Sequence, residues 1–196
     1  ALITAPGSDG ERDFKHELEN NVFGYKIEVD SYLTQIQGKD ADVAILKQLS
    51  LIEELHKPYD LVAIVRGGGS QLDFSAFDTF DLGLKIARFK TPIITGIGHE
   101  RNVSIADLMS FSTLKTPTKA ASFIVEYNAN FERSIESFKS TLLSVTDDVI
   151  RLSKNNIDRK TLALKNASLI YLKDKQSSLN EMAITIKHLN PDNVLA

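Results

Sequence analysis

Two apolar runs that end in glycine constrain this chain more than any other feature. Leu61 to Val65 is continuous, apolar and rich in β-branched residues, the pattern of a strand covered on both faces, and it gives way to Arg66-Gly67-Gly68-Gly69-Ser70. Pro92 to Thr95 repeats the arrangement and runs into Gly96-Ile97-Gly98-His99-Glu100. Between them, Phe77, Phe80, Leu84 and Ala87 fall three, four and three residues apart, which predicts a crossover helix with that face turned inward. The whole stretch is a βαβ unit.

The residues before it extend the same pattern. Ala1 to Thr4 reads as a strand, followed by the turn-rich Ala5 to Gly10 and a short helix with Phe14, Leu18 and Val22 on one side. Tyr25 to Val29 alternates apolar and polar residues and predicts a half-exposed strand near a sheet edge. Ile45, Leu49, Ile52 and Leu55 mark a helix that leads through Pro58 into the buried run at Leu61. Strand and helix signals thus alternate, so residues 1–116 are expected to form a doubly wound, mostly parallel α/β domain of about four strands in the order 2-1-3-4. A chain that opens inside a strand also suggests a piece excised from a longer protein.

From Pro117 the character changes, and residues 117–196 hold no glycine. Phe131, Ile135, Phe138, Leu142, Val145, Val149 and Leu152 keep a 4-3-4-3 spacing, the seam of a coiled coil. The seam breaks between Ser153 and Lys160 and resumes in another register with Leu172, Leu179, Met182, Ile186 and Leu189. One long helix with a stutter is the favoured reading, a hairpin turned at Lys154 to Asn156 the alternative. A narrow seam on a polar helix is not stable alone, so it needs a second copy, another subunit or its own return.

Composition removes several classes of function. There is no cysteine, hence no disulfide, thiolate nucleophile or cysteine zinc site, which suits a reducing cytoplasm. No apolar run approaches the ~20 residues that span a bilayer. The net charge is −3, made of −5 in residues 1–116 and +2 in 117–196. Neither half carries the cationic footprint of a nucleic-acid reader, so such a role needs locally focused charge or another domain.

Parallel sheets place their ligands beyond the carboxyl ends of the strands, where the strand order reverses. Three loops meet there in the expected order, and they carry Asp9 and Asp13, then Arg66 to Ser70, then His99 to Asn102. Gly67, Gly68 and Gly69 allow backbone amides to approach an anion closely, a helix beginning after Ser70 would offer its N-terminus to phosphate, and Arg66 adds a planar donor fork. A plain glycine-rich turn with a surface arginine is the competing reading, and the position at a strand end favours the anion site. The P-loop ending Gly-Lys-Ser/Thr is missing, and Arg101 occupies the third glycine's place after Gly96-x-Gly98, so the common nucleotide fingerprints are excluded. His99 can act as nucleophile or as general acid towards a leaving alkoxide, whereas His16, His56 and His188 lie on helical stretches without such a setting. Asp13 orients the histidine, binds a metal, or only favours the first turns of its helix. Ser112 to Lys119 reads as a loop entering a helix, with Lys115 and Thr118 in reach of phosphate.

Several ordered motifs carry a family likeness: RGGGSxxD at Arg66 to Asp73, PIITGIGHE at Pro92 to Glu100, SIAD at Ser104 to Asp107 and TPTKAA at Thr116 to Ala121, with ITAPxxxxxRD ending at Asp13. Together they resemble the catalytic domain and part of the coiled-coil region of the exodeoxyribonuclease VII large subunit. The resemblance implies a cytoplasmic nuclease that degrades single-stranded DNA from either end in a complex with many copies of a small helical subunit. Carried over by position, its functional residues are Asp13, Arg66 and His99. A second aspartate of the family, three residues after the histidine, is Asn102 here. An amide can hydrogen-bond but cannot take up a proton, so either that group only orients its neighbours or this chain is impaired. The family also implies a single-strand-binding OB-fold ahead of this domain, and a homodimer through the helix. No cofactor is required by so few carboxylates, although one Mg²⁺ aiding turnover is compatible with them. The competing expectation is a non-enzymatic scaffold, an anion-binding α/β head on a coiled-coil assembly helix.

Overall fold

A computed structural model of the chain describes residues 1–67, 74–98 and 103–189, of Leu189 the backbone alone. They form two compact units, residues 1–133 and 134–196. In the first, β1 (Leu2–Thr4), α1 (Asp9–Glu19), β2 (Ser31–Leu33), α2 (Ala41–Glu54), β3 (Val62–Val65), α3 (Phe80–Arg88), β4 (Ile93–Gly96), α4 (Ile105–Met109) and β5 (Ser112–Leu114) precede the start of α5 (Pro117–Leu189). The strands make one sheet of five in the order β2-β1-β3-β4-β5, every neighbouring pair parallel. This is the doubly wound α/β class expected, with one strand more.

Burial on both faces explains why the central strands are almost wholly apolar, with Thr4 and Thr95 the buried exceptions. Ile3, Val62, Ile64 and Ile93 turn to one face, where they pack with Ile45, Leu49 and Ile52 of α2, Leu82 and Ile86 of α3, and Phe77. Leu2, Ala63, Val65 and Ile94 turn to the other, against Phe14 and Leu18 of α1 and Ala120, Ala121 and Val125 in the first turns of α5. Val62 to Val65 are fully buried, as a strand between two helical layers requires.

Four details depart from the periodic reading. The segment Tyr25 to Val29 is not a strand; β2 begins at Ser31, and Tyr25, Ile27 and Val29 pack irregularly against the α1 and α5 side. Β5 lies in the stretch expected to be loop and continues the sheet by pairing Thr113 with Thr95. Phe77 belongs to a short 3₁₀ turn, Ser75–Phe77, so the inward face of α3 is Leu82, Gly83 and Ile86, while Phe80 is 73% exposed. A tighter turn ahead of the helix shifts the phase of everything counted from Phe77. Finally, α1 ends at Glu19, leaving Val22 exposed, and Leu55 caps α2 with its side chain exposed.

In the second unit α5 runs on without a break to Leu189, so the long helix rather than the hairpin is found. Its seam residues Ile135, Phe138, Leu142, Val145, Val149 and Leu152 are all exposed. Among the described residues no helix is long and apolar enough to cross a membrane.

A polar knot joins the start of β2 to the approach to β3. The Tyr59 hydroxyl donates to Asp30 Oδ2 at 2.6 Å and lies 2.7 Å from the Tyr32 hydroxyl, and Lys57 forms an ion pair with the same carboxylate. The Lys57 hydrogen bond, then that of Tyr59, holds the Asp30 carboxyl below its usual range. Burial, then Asp30 and Tyr32, raises the Tyr59 phenol, and Asp30 raises Lys57. A depressed carboxyl contributes stability that is lost as pH falls through its folded pKa, and a raised phenol or ammonium contributes stability that is lost as pH rises beyond about 10. Thermal unfolding followed by circular dichroism is therefore expected to show a midpoint that falls at both extremes, with a shallower alkaline fall in Tyr59→Phe.

Candidate phosphate site at the strand ends

The strand order reverses between β1 and β3, and the loops after these strands diverge there to opposite faces of the sheet. The first brings in the N-terminus of α1. Ser8, in extended conformation, caps it: its Oγ accepts from the Glu11 amide at 3.1 Å and lies 3.2 Å from the Oγ1 of buried Thr4, which ties the cap to the sheet. Lys15 above all, then Ser31 and the Gly7 amide, lowers the Glu11 carboxyl, so the first turn carries a fixed negative charge.

Beyond β3 the chain meets this turn backbone to backbone. A Cβ built on Gly10 would stand 2.5 Å from the Gly67 nitrogen, and one built on Gly67 would stand 2.5 Å from the Gly10 nitrogen and 3.3 Å from that of Asp9. Any side chain would separate the two loops. Both glycines are therefore needed for the switch point to close.

Arg66, the residue between β3 and Gly67, donates its backbone N–H to the Gly96 carbonyl at 3.1 Å, joining the ends of β3 and β4. Its side chain is buried, 5% exposed, with the guanidinium carbon 4.2 Å from the centre of the Phe74 ring. Gly98 follows β4 with φ +90°, a conformation that glycine takes without strain. A Cβ there would lie 3.5 Å from the Lys115 carbonyl, and one on Gly96 would lie 3.1 Å from Ala120 Cβ. The end of β4 is thus seated against the entry to α5, where Thr116 Oγ1 accepts from the Lys119 amide at 3.1 Å. Lys115 and Thr118, both exposed, stand at this entry.

The structure therefore brings Arg66 and Gly67 to the first turn of α1, and Gly98 to Lys115. Asp13 is exposed on α1, one turn beyond that contact. Gly68, Gly69, Ser70, His99 and Asn102 lie outside the described residues. Among the described residues no three His, Cys, Asp or Glu side chains converge as a metal ion would require.

Four contributors escape a reading of the sequence. Asp107 is buried and accepts from Thr95 Oγ1 at 2.6 Å and from Ser104 Oγ at 2.8 Å, while its amide donates to Ser104 Oγ at 3.1 Å. This capping box fixes the start of α4 to the sheet, and the S-x-x-D spacing signals the box though not its bond to Thr95. Asp78 accepts from the Ile105 amide at 3.0 Å and holds the same turn from the α3 side. Gly10 and Phe74 have no local signal; each matters through a neighbour brought by the fold.

Comparison with known proteins identifies the family. The family model described as "Exonuclease VII, large subunit" matches residues 1–196. The chain is 29% identical to the exodeoxyribonuclease 7 large subunit of Thermotoga maritima over 190 residues, 84% of this chain and 48% of that protein. It is 35% identical to that of Thermotoga petrophila over 118 residues, 60% and 29% of the two, and 30% identical to that of Clostridium tetani over 141 residues, 72% and 35%. The chain thus spans about half, or less, of the length of these relatives. With a family match over its full length, the chain belongs to the exonuclease VII large subunit family.

Proposed function

We propose that this chain supplies the catalytic head of a nuclease that hydrolyses the phosphodiesters of single-stranded DNA from both ends, as the large subunit of an assembly with a small helical subunit. The observation that carries the proposal is the meeting of Arg66 and Gly67 with the capped N-terminus of α1 at the switch point of a parallel sheet. Backbone amides at a helix N-terminus, with a planar cation carried by the adjoining residue at the strand end, are suited to holding phosphate oxygens and the charge that grows on them during displacement at phosphorus.

In this reading Arg66 and the amides of Gly67, Gly68, Gly69 and Ser70 clamp the scissile phosphate, with Gly98, Lys115 and Thr118 along the strand on either side. His99 acts as nucleophile or as proton donor to the departing oxygen, Asp13 supports the imidazole, and Asn102 orients it through its amide. These residues carry the displacement without an obligatory metal, and one Mg²⁺ could aid turnover. The exposed seam of α5 pairs with a second copy and takes the small subunits, which burial of its apolar residues favours. It would serve a pure scaffold equally well, so the seam does not separate the two readings. A bacterial cytoplasm, where single strands arise, suits the cysteine-free composition.

The test uses full-length protein assembled with its small subunit, on single strands labelled at either end. Loss of both labels to short products is expected, with most of the rate retained in excess EDTA. No degradation would leave the scaffold; a strict need for Mg²⁺ would overturn the metal-independent mechanism alone.

A further inference from the structure

Arg66 leaves the end of β3 on a side chain with ~2 kcal/mol of rotamer entropy in solution, and a phosphate clamp works best when that freedom is already spent before the ligand arrives. The structure supplies a device for this. The guanidinium lies over the ring of Phe74, carbon to ring centre 4.2 Å, and the arginine is only 5% exposed. The ring is itself held: Phe74 packs against the core face that contains Ile64, Phe77 and Leu82, and its carbonyl accepts from the Phe77 amide at 2.8 Å in the 3₁₀ turn. Phe77 is fully buried, so the turn cannot move without disturbing the core.

We propose that Phe74 is the positioning residue for Arg66. Its ring takes one face of the guanidinium, which fixes the plane of the cation and with it the plane in which the N–H donors can meet phosphate oxygens edge-on. Phe74 itself touches no substrate. A leucine would fill the same apolar space but has no negative ring face to hold a cation, which separates positioning from packing. The inference rests on the reading of Arg66 as the phosphate clamp.

The experiment is a double-mutant cycle in the full-length protein with its small subunit, reading kcat/KM on single-stranded DNA alongside the thermal midpoint. Phe74→Leu is expected to lower kcat/KM about tenfold, whereas Phe74→Tyr, which keeps the aromatic face, stays within about threefold of wild type. In an Arg66→Lys background, where the planar fork is gone, Phe74→Leu should add little further loss. Phe74→Met, whose longer and more flexible side chain follows the shape of the ring better, replaces leucine if the midpoint drops sharply. Equal losses for leucine and tyrosine, an undiminished loss in the lysine background, or wild-type activity of Phe74→Leu would each overturn the proposal. Wild-type activity of Arg66→Ala would instead overturn the phosphate-clamp reading beneath it.

Discussion

Arg66→Ala and His99→Ala, each made in the full-length protein with its small subunit, are expected to lower single-strand degradation by about 10²–10³-fold, the range for removing one preorganised stabilising group. For Arg66 the geometry explains why the effect should be on chemistry rather than on folding alone. Its backbone bond to Gly96, which joins β3 to β4, does not involve the side chain and survives the substitution. What is lost is a cation already stacked on Phe74 at the end of the strand. The truncation leaves a gap under that ring, so a lower thermal midpoint is expected as well. Arg66→Lys separates the two effects: it keeps a charge and much of the stem but not the planar fork, and should fall between wild type and alanine. For His99 the loss should appear in kcat with little change in KM, because an imidazole that attacks phosphorus or donates a proton acts only in the transition state. Intact degradation in either alanine variant would remove that residue from the mechanism. Unchanged DNA binding by Arg66→Ala together with lost turnover would limit the arginine to stabilising the developing charge.

Legibility in the sequence followed burial. Β3 and β4 could be read because both of their faces are covered, so their positions are apolar but for Thr95 and the closing glycine, and the pattern survives without knowledge of neighbours. Β5 could not: Ser112 to Leu114 is a short edge strand whose identity depends on pairing with β4, and its residues fit a loop equally well. Tyr25 to Val29 alternates as an edge strand should, yet the chain reserves pairing for Ser31 to Leu33 and uses the alternating residues to cover the α1 and α5 side instead. On α3 the error was one of phase, introduced when Phe77 was counted as helix although it closes a 3₁₀ turn. The site shows the same division. The positions of Arg66, Gly67 and Gly98 at strand ends are legible because each stands next to a readable strand. Gly10 is not, because its importance comes from Gly67, distant in sequence and in contact only once β1 and β3 lie side by side.

Gly67→Ala is expected to destabilise the α/β unit by about 1–3 kcal/mol, the range for overpacking, and to depress activity further than that loss alone would. The new methyl group would stand 2.5 Å from the Gly10 nitrogen and 3.3 Å from the Asp9 nitrogen, and these are backbone atoms that cannot turn aside as a flexible side chain would. Relief requires α1 to move away from β3, but α1 is held by Phe14 and Leu18 in the core and by the Ser8 cap beside Thr4. A displacement of about 1 Å between the amides of α1 and Arg66 is enough to lose about 10²-fold in a positioned reaction. The reciprocal change, Gly10→Ala, sharpens the test because helix propensity opposes sterics there. Alanine inside a helix gains about 0.5–1 kcal/mol over glycine, yet its Cβ would meet Gly67 nitrogen at 2.5 Å and the Arg66 carbonyl carbon at 2.9 Å. Contact should outweigh propensity, so Gly10→Ala lowers the midpoint although it improves the helix. Gly7→Ala is the control, since nothing lies within 4 Å of its Cβ and its φ of +63° adds only local strain, about 1 kcal/mol. Chemical denaturation of the three variants, run beside the single-strand assay, checks the order. A stabilised Gly10→Ala with full activity would show that the two loops do not meet at the switch point, and the phosphate site would lose its floor.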